Sequence, residues 1–207
     1  MRGIFGGNNR FMAKNNRFGT SALISQADMV SLRKAINNPM HRLFLEIAWW
    51  TGERFGAIRQ LQVKDCYLNP ERSTPREEMT FRSSTRKADI RGKQSTRQVL
   101  IHSTCQEILR SYQPPLSGYL FPSPVNANKP MGFSACDKFL RAALIRCGLD
   151  TKGVSSHSFR RSFITRLSEQ GTDPRVIQAI TGHRDPKSLY GYIDVSPARM
   201  KNAIARL

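Results

Sequence analysis

Acidic residues are scarce in this chain: 15 Asp and Glu stand against 33 Lys and Arg among 207 residues, for a formal charge of +18. That excess is more than a solvated face needs, and it makes a polyanion the expected partner, nucleic acid before an anionic membrane. Long apolar runs are missing too. Nothing approaches the roughly 18 residues of a membrane-spanning helix, no signal-peptide pattern opens the chain, and no helical stretch separates a basic face from an apolar one as a membrane-surface helix does. A soluble, cytoplasmic protein is therefore expected. Cysteine is sparse: Cys66, Cys105, Cys136 and Cys147 show no C-x-x-C spacing. They read as reduced, small apolar fillers rather than zinc ligands or disulfides, and neither a metal nor a cofactor is expected. Internal repeats are absent, and 207 residues suffice for one core.

The acid-free stretch 1–24, rich in Gly, Asn, Arg and Lys, reads as a loose basic arm ahead of a domain spanning 25–207. Ser25, with Asp28 three residues on, reads as the N-cap of a first helix whose Met29, Leu32 and Ile36 share one face. The following HRLFLEIAWW is apolar nearly all round, which predicts a buried helix ending at Thr51-Gly52. Glu53-Arg54 then opens a further helix carrying Phe55, Ile58 and Leu61. After Asp65 the period changes to two. Met79 and Phe81, then Val99 and Ile101, alternate with polar residues on either side of the turn-like ADIRGKQST, which predicts a hairpin. From Arg82 to Arg97 there are six basic residues and one acid, Asp89. Arg82, Arg86, Arg91, Lys93 and Arg97 are expected to contact phosphates; the plainer alternative is a charged edge that protects the sheet from aggregation. Helices are predicted from about Ser103 to Tyr112 and from about Phe133 to Cys147, joined through the Pro-rich YLFPSP. The fold class expected is mainly α with a small antiparallel β-sheet (α+β).

Chemistry gathers between Ser155 and Tyr192. On a helix turning about 100° per residue with His157 at zero, Phe159, Phe163, Leu167 and Ile164 fall near 200°, 240°, 280° and 340°, and Arg160 falls at about 300°, inside that apolar sector. A guanidinium there cannot be neutralised and is expensive to bury alone, so either a carboxylate meets it or it waits for an anion. His157, three residues earlier, reaches the same spot. H-x-x-R therefore reads as a prepared anion site, with Arg161 beside it as a further phosphate contact. Asp173-Pro174, Asp185-Pro186 and Ser196-Pro197 each read as an N-cap followed by proline at the first helical position. Gly182 closes the helix of Val176, Ile177 and Ile180 as a C′ glycine would, His183 follows directly, and Tyr192 lies nine residues beyond. Helix, turn and helix would fold both back toward Arg160.

These residues carry a resemblance to the tyrosine recombinase (phage integrase) family. TGERFGAIRQLQVKD looks like its first arginine box, SHSFRRSFITRL like its second and TGHRDPKSLYGY like its third. YLFPS and the basic hairpin ending in RQVLI also sit where that family has them, and the likeness runs from about residue 22 to the C-terminus. What the resemblance implies is metal-independent phosphoryl transfer on double-stranded DNA, cleaving and rejoining strands through a 3′-phosphotyrosine. Tyr192 would attack the scissile phosphate, Arg54 and Arg160 would clamp its non-bridging oxygens, and His183 would add a donor to them. His157 would accept the tyrosine proton, and Lys87 would protonate the leaving oxygen. Lys93 competes with Lys87, because hairpin length varies. Tyr190 competes with Tyr192; two residues apart on a helix they point about 200° from each other, and the spacing favours Tyr192.

The resemblance also implies a homo-oligomer, a tetramer on paired DNA sites, encoded by a bacterium, phage or plasmid. Two departures stand out. Ala57 occupies the place where an acidic residue usually supports the site, with Glu53 as candidate substitute, and the helical domain that clamps the far side of the duplex in many relatives has no counterpart in 1–24. A type IB topoisomerase-like enzyme and a catalytically silent DNA-binding module are the alternative readings. The terminal SPARMKNAIARL puts Met200, Ala203, Ile204 and Leu207 on one face, a stripe that docks either on its own subunit or on a neighbour.

Overall fold

The computed structural model describes residues 20–85, 96–183, 186–192, 200–201 and 204–205. Arg86, Lys87, Arg91 and Lys93, the arm 1–19, Asp185, Ser196-Pro197, Ala203 and Leu207 lie outside the described residues. The described elements run α1 (Gln26–Ala35), α2 (Pro39–Thr51), α3 (Phe55–Ile58), α4 (Val63–Cys66), β1 (Tyr67–Asn69), β2 (Thr74–Pro75), β3 (Glu78–Phe81) and β4 (Arg97–Leu100). They continue with α5 (Ser103–Ser111), α6 (Phe133–Arg146), α7 (Ser156–Glu169), α8 (Pro174–Thr181) and α9 (Pro186–Tyr190). This is the mainly helical fold with small antiparallel sheets that the sequence predicts.

The helix starts follow the capping residues. Ser25 caps α1: its hydroxyl accepts the Asp28 N–H at 3.1 Å while the Asp28 carboxylate accepts the Ser25 N–H at 2.7 Å. Asn38 caps α2 with Pro39 at the first position, and Asp173 caps α8 with Pro174 there. Because α2 is apolar nearly all round, it takes the centre, packed against α5, α7 and α3. Phe44 meets Phe55 and Phe121 edge-on, both at 4.9 Å between ring centroids.

The β3–β4 hairpin pairs Met79 with Val99 and Phe81 with Arg97. Its inner face, Met79, Phe81, Val99 and Ile101, is buried in the same core. Three local expectations change. The helix after Arg54 ends at Ile58, and Leu61, still buried, pairs instead with the YLFPS segment, its carbonyl accepting the Leu120 N–H at 2.9 Å. A second hairpin, β1–β2, precedes the basic one. Ser21–Ile24, expected within the arm, are held by the domain: the Ile24 N–H donates to Ser162 Oγ at 2.8 Å and Arg161 Nη1 to the Ser21 carbonyl at 2.7 Å. The four cysteines are free thiols, and burial pushes Cys105 and Cys136 up to about 12, which suits inert fillers.

Candidate active site

The site begins where α2 stops. Gly52 has φ 60°, and a Cβ there would lie 2.5 Å from Phe163 Cδ1 of α7, so both the backbone and the close approach require glycine. This turn directs the Gly52 carbonyl at Arg160, sends Glu53 into the interior at 1% exposure, and leaves Arg54 half-buried at the N-cap of α3.

Arg160 is 2% exposed on the buried face of α7. Its Nη1 donates to the Gly52 carbonyl and its Nη2 to the Thr181 carbonyl, both at 3.0 Å. The Glu53 carboxylate stands 4.0 Å from Nη1. Burial, with Arg54 adding its repulsion and Glu53 opposing it, lowers the Arg160 pKa to about 10, which leaves a cation at neutral pH. Among the described residues Nε has no hydrogen-bond partner. The same arginine lines a cleft of about 220 Å³ together with Arg54, His157, Ser156, Thr85 and Ala57. Both outcomes for a buried arginine are therefore present: a carboxylate and two carbonyl dipoles stabilise it, and donor capacity remains beside a cleft.

Glu53 is shared. Its second oxygen lies 3.3 Å from Arg97 Nη2, and Oε1 also accepts the Arg54 N–H at 3.0 Å. One buried carboxylate thus ties three arginines together across α3, α7 and β4. The expectation that Arg97 contacts phosphate is corrected here: Arg97 is 9% exposed and ion-paired inside the protein. The reason is strand parity. Residues 97, 99 and 101 share the inner face, and Leu100 on the outer face is 75% exposed. Arg82 is likewise engaged, its Nε and Nη2 donating to the two carboxylate oxygens of Asp65 on α4. Arg161 is half-buried on α7 and bound to the Ser21 carbonyl.

His157 is exposed at the N-terminal end of α7 and lines the cleft with Arg54 and Arg160. His183, directly after the C′ glycine Gly182 (φ 65°), is 9% exposed and lies against the guanidinium of Arg160. Burial first, then the charges of Arg160, Arg54 and Arg97, push its pKa down to about 3, so the imidazole is neutral at physiological pH. The Tyr192 ring is 5.8 Å from that of His183 and packs on a small cluster of Ile164, Ile177 and Leu189. Tyr190 is 58% exposed, so of the two tyrosines only Tyr192 is beside the histidine. The structure brings Arg54, His157 and Arg160 to one cleft and His183 and Tyr192 to the flank of Arg160. Sequence reasoning missed Thr181 and the inward turn of Arg97; the alternation along β4 was a usable signal for the second.

The sequence model of the phage integrase family matches residues 23–199. Tyrosine recombinase XerD of Staphylococcus saprophyticus is 26% identical over 174 residues, covering 80% of this chain and 54% of that protein. XerD of Rickettsia conorii is 35% identical over 91 residues, covering 42% and 28%. The chain spans about half or less of the length of these curated relatives. Among solved structures, XerA recombinase superposes with a TM-score of 0.68 at 20% identity, over 90% of this chain and 66% of the other. The catalytic domain of bacteriophage HP1 integrase does so at 0.62 and 19%, over 90% and 95%. The fold is that of these catalytic domains, and with a match running over most of its residues this chain belongs to the phage integrase family.

Proposed function

We propose that this chain is the catalytic part of a site-specific DNA recombinase or integrase that works through a 3′-phosphotyrosine. The observation that carries the reading is Arg160: a buried cation with a donor to spare, in a cleft shared with Arg54 and His157, and flanked by His183 and Tyr192. A phosphodiester seated there would meet cations where negative charge grows as the fifth oxygen approaches phosphorus, the effect that contributes most to such transfers.

In the proposed reaction the Tyr192 hydroxyl oxygen bonds to phosphorus as the bond from phosphorus to the 5′ oxygen breaks. The tyrosine proton passes to His157, and Lys87, outside the described residues, protonates the departing 5′ oxygen. Attack by a second 5′-hydroxyl reverses the step, so strands rejoin without an external energy source. Exchange between two sites requires paired protomers, and a DNA-bound homo-tetramer acting in the cytoplasm is part of the proposal. The formal charge of +18 supports duplex DNA as partner. Among the described residues no helix is long and apolar enough to cross a membrane.

The test is a DNA substrate nicked so that the product strand diffuses away. A covalent protein–DNA band is expected with the native chain; a protein that binds duplex DNA with a steep salt dependence yet forms no band is a binding module.

A further inference from the structure

Thr181, the last residue of α8, is fully buried, and its hydroxyl has one proton to give. Oγ1 lies 2.6 Å from the Ile177 carbonyl oxygen and 2.6 Å from His183 Nδ1. A carbonyl carries no proton, so the short oxygen–oxygen contact requires the hydroxyl's proton between them. Nδ1 then faces an oxygen whose proton is already committed, and a contact of the same length exists only if Nδ1 is the donor.

Arg160 constrains the ring from a second direction. Its Nη2 is 3.1 Å from Nε2 and 3.3 Å from Nδ1. Nearly equal distances to both nitrogens, taken in the ring plane, would drive Nη2 into the carbon between them, so it rests against the ring face. A guanidinium there favours an uncharged imidazole. The depressed pKa of His183 agrees with this, burial and the neighbouring arginines both opposing a second ring proton.

We propose that Thr181 is a positioning residue that holds His183 in the neutral Nδ1–H tautomer, leaving Nε2 with its lone pair. Its consequence rests on the recombinase reading: without DNA, Nε2 accepts rather than donates, and His183 serves a phosphate oxygen from Nε2 only after the ring takes up another proton. Thr181 thereby sets which protonation change must accompany loading of the scissile phosphate.

The test is a proton–nitrogen multiple-bond NMR spectrum of the full chain at neutral pH without DNA, with the His183 signals among the four histidines assigned by their loss in His183→Gln. The expected pattern is a protonated Nδ1 and an unprotonated Nε2. A protonated Nε2, with or without Nδ1, overturns the proposal, and this measurement decides even if the Thr181 variants fail to fold. In Thr181→Val the ring should leave the pure Nδ1–H state, whereas Thr181→Ser should retain it. An unchanged tautomer in Thr181→Val removes the role from Thr181. The pH profile of cleavage should shift in Thr181→Val, where Nε2 can carry the single ring proton without further proton uptake, and Thr181→Ser should restore the native profile. Because the spectrum needs no DNA, absence of a covalent band in the native chain would sink the recombinase reading and leave the tautomer assignment standing.

Discussion

Among the described residues, the arginines and the tyrosine of this site rest on cores of different size. Arg54 and Arg160 sit on α3 and α7 where these meet α2, in a core that runs from Ile24 to Phe159 and includes Phe44, Trp49 and Phe121. Among the described residues, Tyr192 packs with Leu167 on Ile164, Ile177 and Leu189. The two regions are joined by polar contacts: Arg160 to the Thr181 carbonyl, and Arg160 to the His183 ring. The arginines are thus anchored in the larger core, and the described apolar contacts of Tyr192 lie in a separate, smaller cluster.

The largest effect expected from breaking this arrangement is on the tyrosine side. Tyr192→Phe should abolish the covalent adduct and keep DNA binding, since one oxygen is removed; an adduct lost in Tyr190→Phe and retained in Tyr192→Phe would move the nucleophile. On the arginine side, Glu53→Gln removes the carboxylate shared by Arg97 and Arg160. Urea denaturation should show a loss of about 3–5 kcal/mol, the cost of leaving buried charge uncompensated, and an unchanged midpoint would mean the pair contributes nothing.

Lys87→Ala separates the leaving group from both regions. Cleavage should slow by at least ~100-fold and recover on DNA whose 5′-bridging oxygen is sulfur, because a thiol with a pKa of about 8.5 leaves unprotonated. Arg160→Ala should not recover, since in the proposed reaction Arg160 acts on the non-bridging oxygens whichever group departs. Recovery by Lys93→Ala in place of Lys87→Ala would shift the role six residues along the chain.

Ile177→Ala tests the difference in core size directly. Its cost of about 2 kcal/mol or more should appear as faster amide hydrogen exchange confined to α8 and α9, with the exchange of α2 unaltered; a uniform rise across both would show one cooperative unit. The smallest effect is on pH. The His183 pKa falls from 6.5 unfolded to about 3 folded, so its contribution is neutral above pH 6.5 and becomes destabilising as the pH drops toward 3. His183→Gln should lose less stability than the native chain between pH 6.5 and 4, by thermal melts.

Local signals were legible wherever local chemistry decides. Ser25, Asn38 and Asp173 cap helices through residues two or three positions away, and Gly182 ends α8 through its own φ. The alternation of Met79, Phe81, Val99 and Ile101 predicted the hairpin and its buried face. The β1–β2 hairpin escaped because its strands span only three and two residues, too few for alternation to register. Arg97 turns inward because its place in that same alternation, rather than its charge, decides its side of the strand.

The sequence by itself determined the order and spacing of the boxes, the helix caps, the excess positive charge, and the presence of an arginine on the apolar face of α7. Those depend on composition and on neighbours within one or two turns. Only the tertiary structure decided what becomes of that arginine. Its hydrogen bonds reach Gly52, 108 positions away, and Thr181, 21 away. The pairing of Glu53 with both Arg97 and Arg160 follows from the same kind of long-range contact. Burial strengthens each of these interactions and makes each unpaired group costly, so their pairing was settled by packing among distant segments and left no periodic trace along the chain.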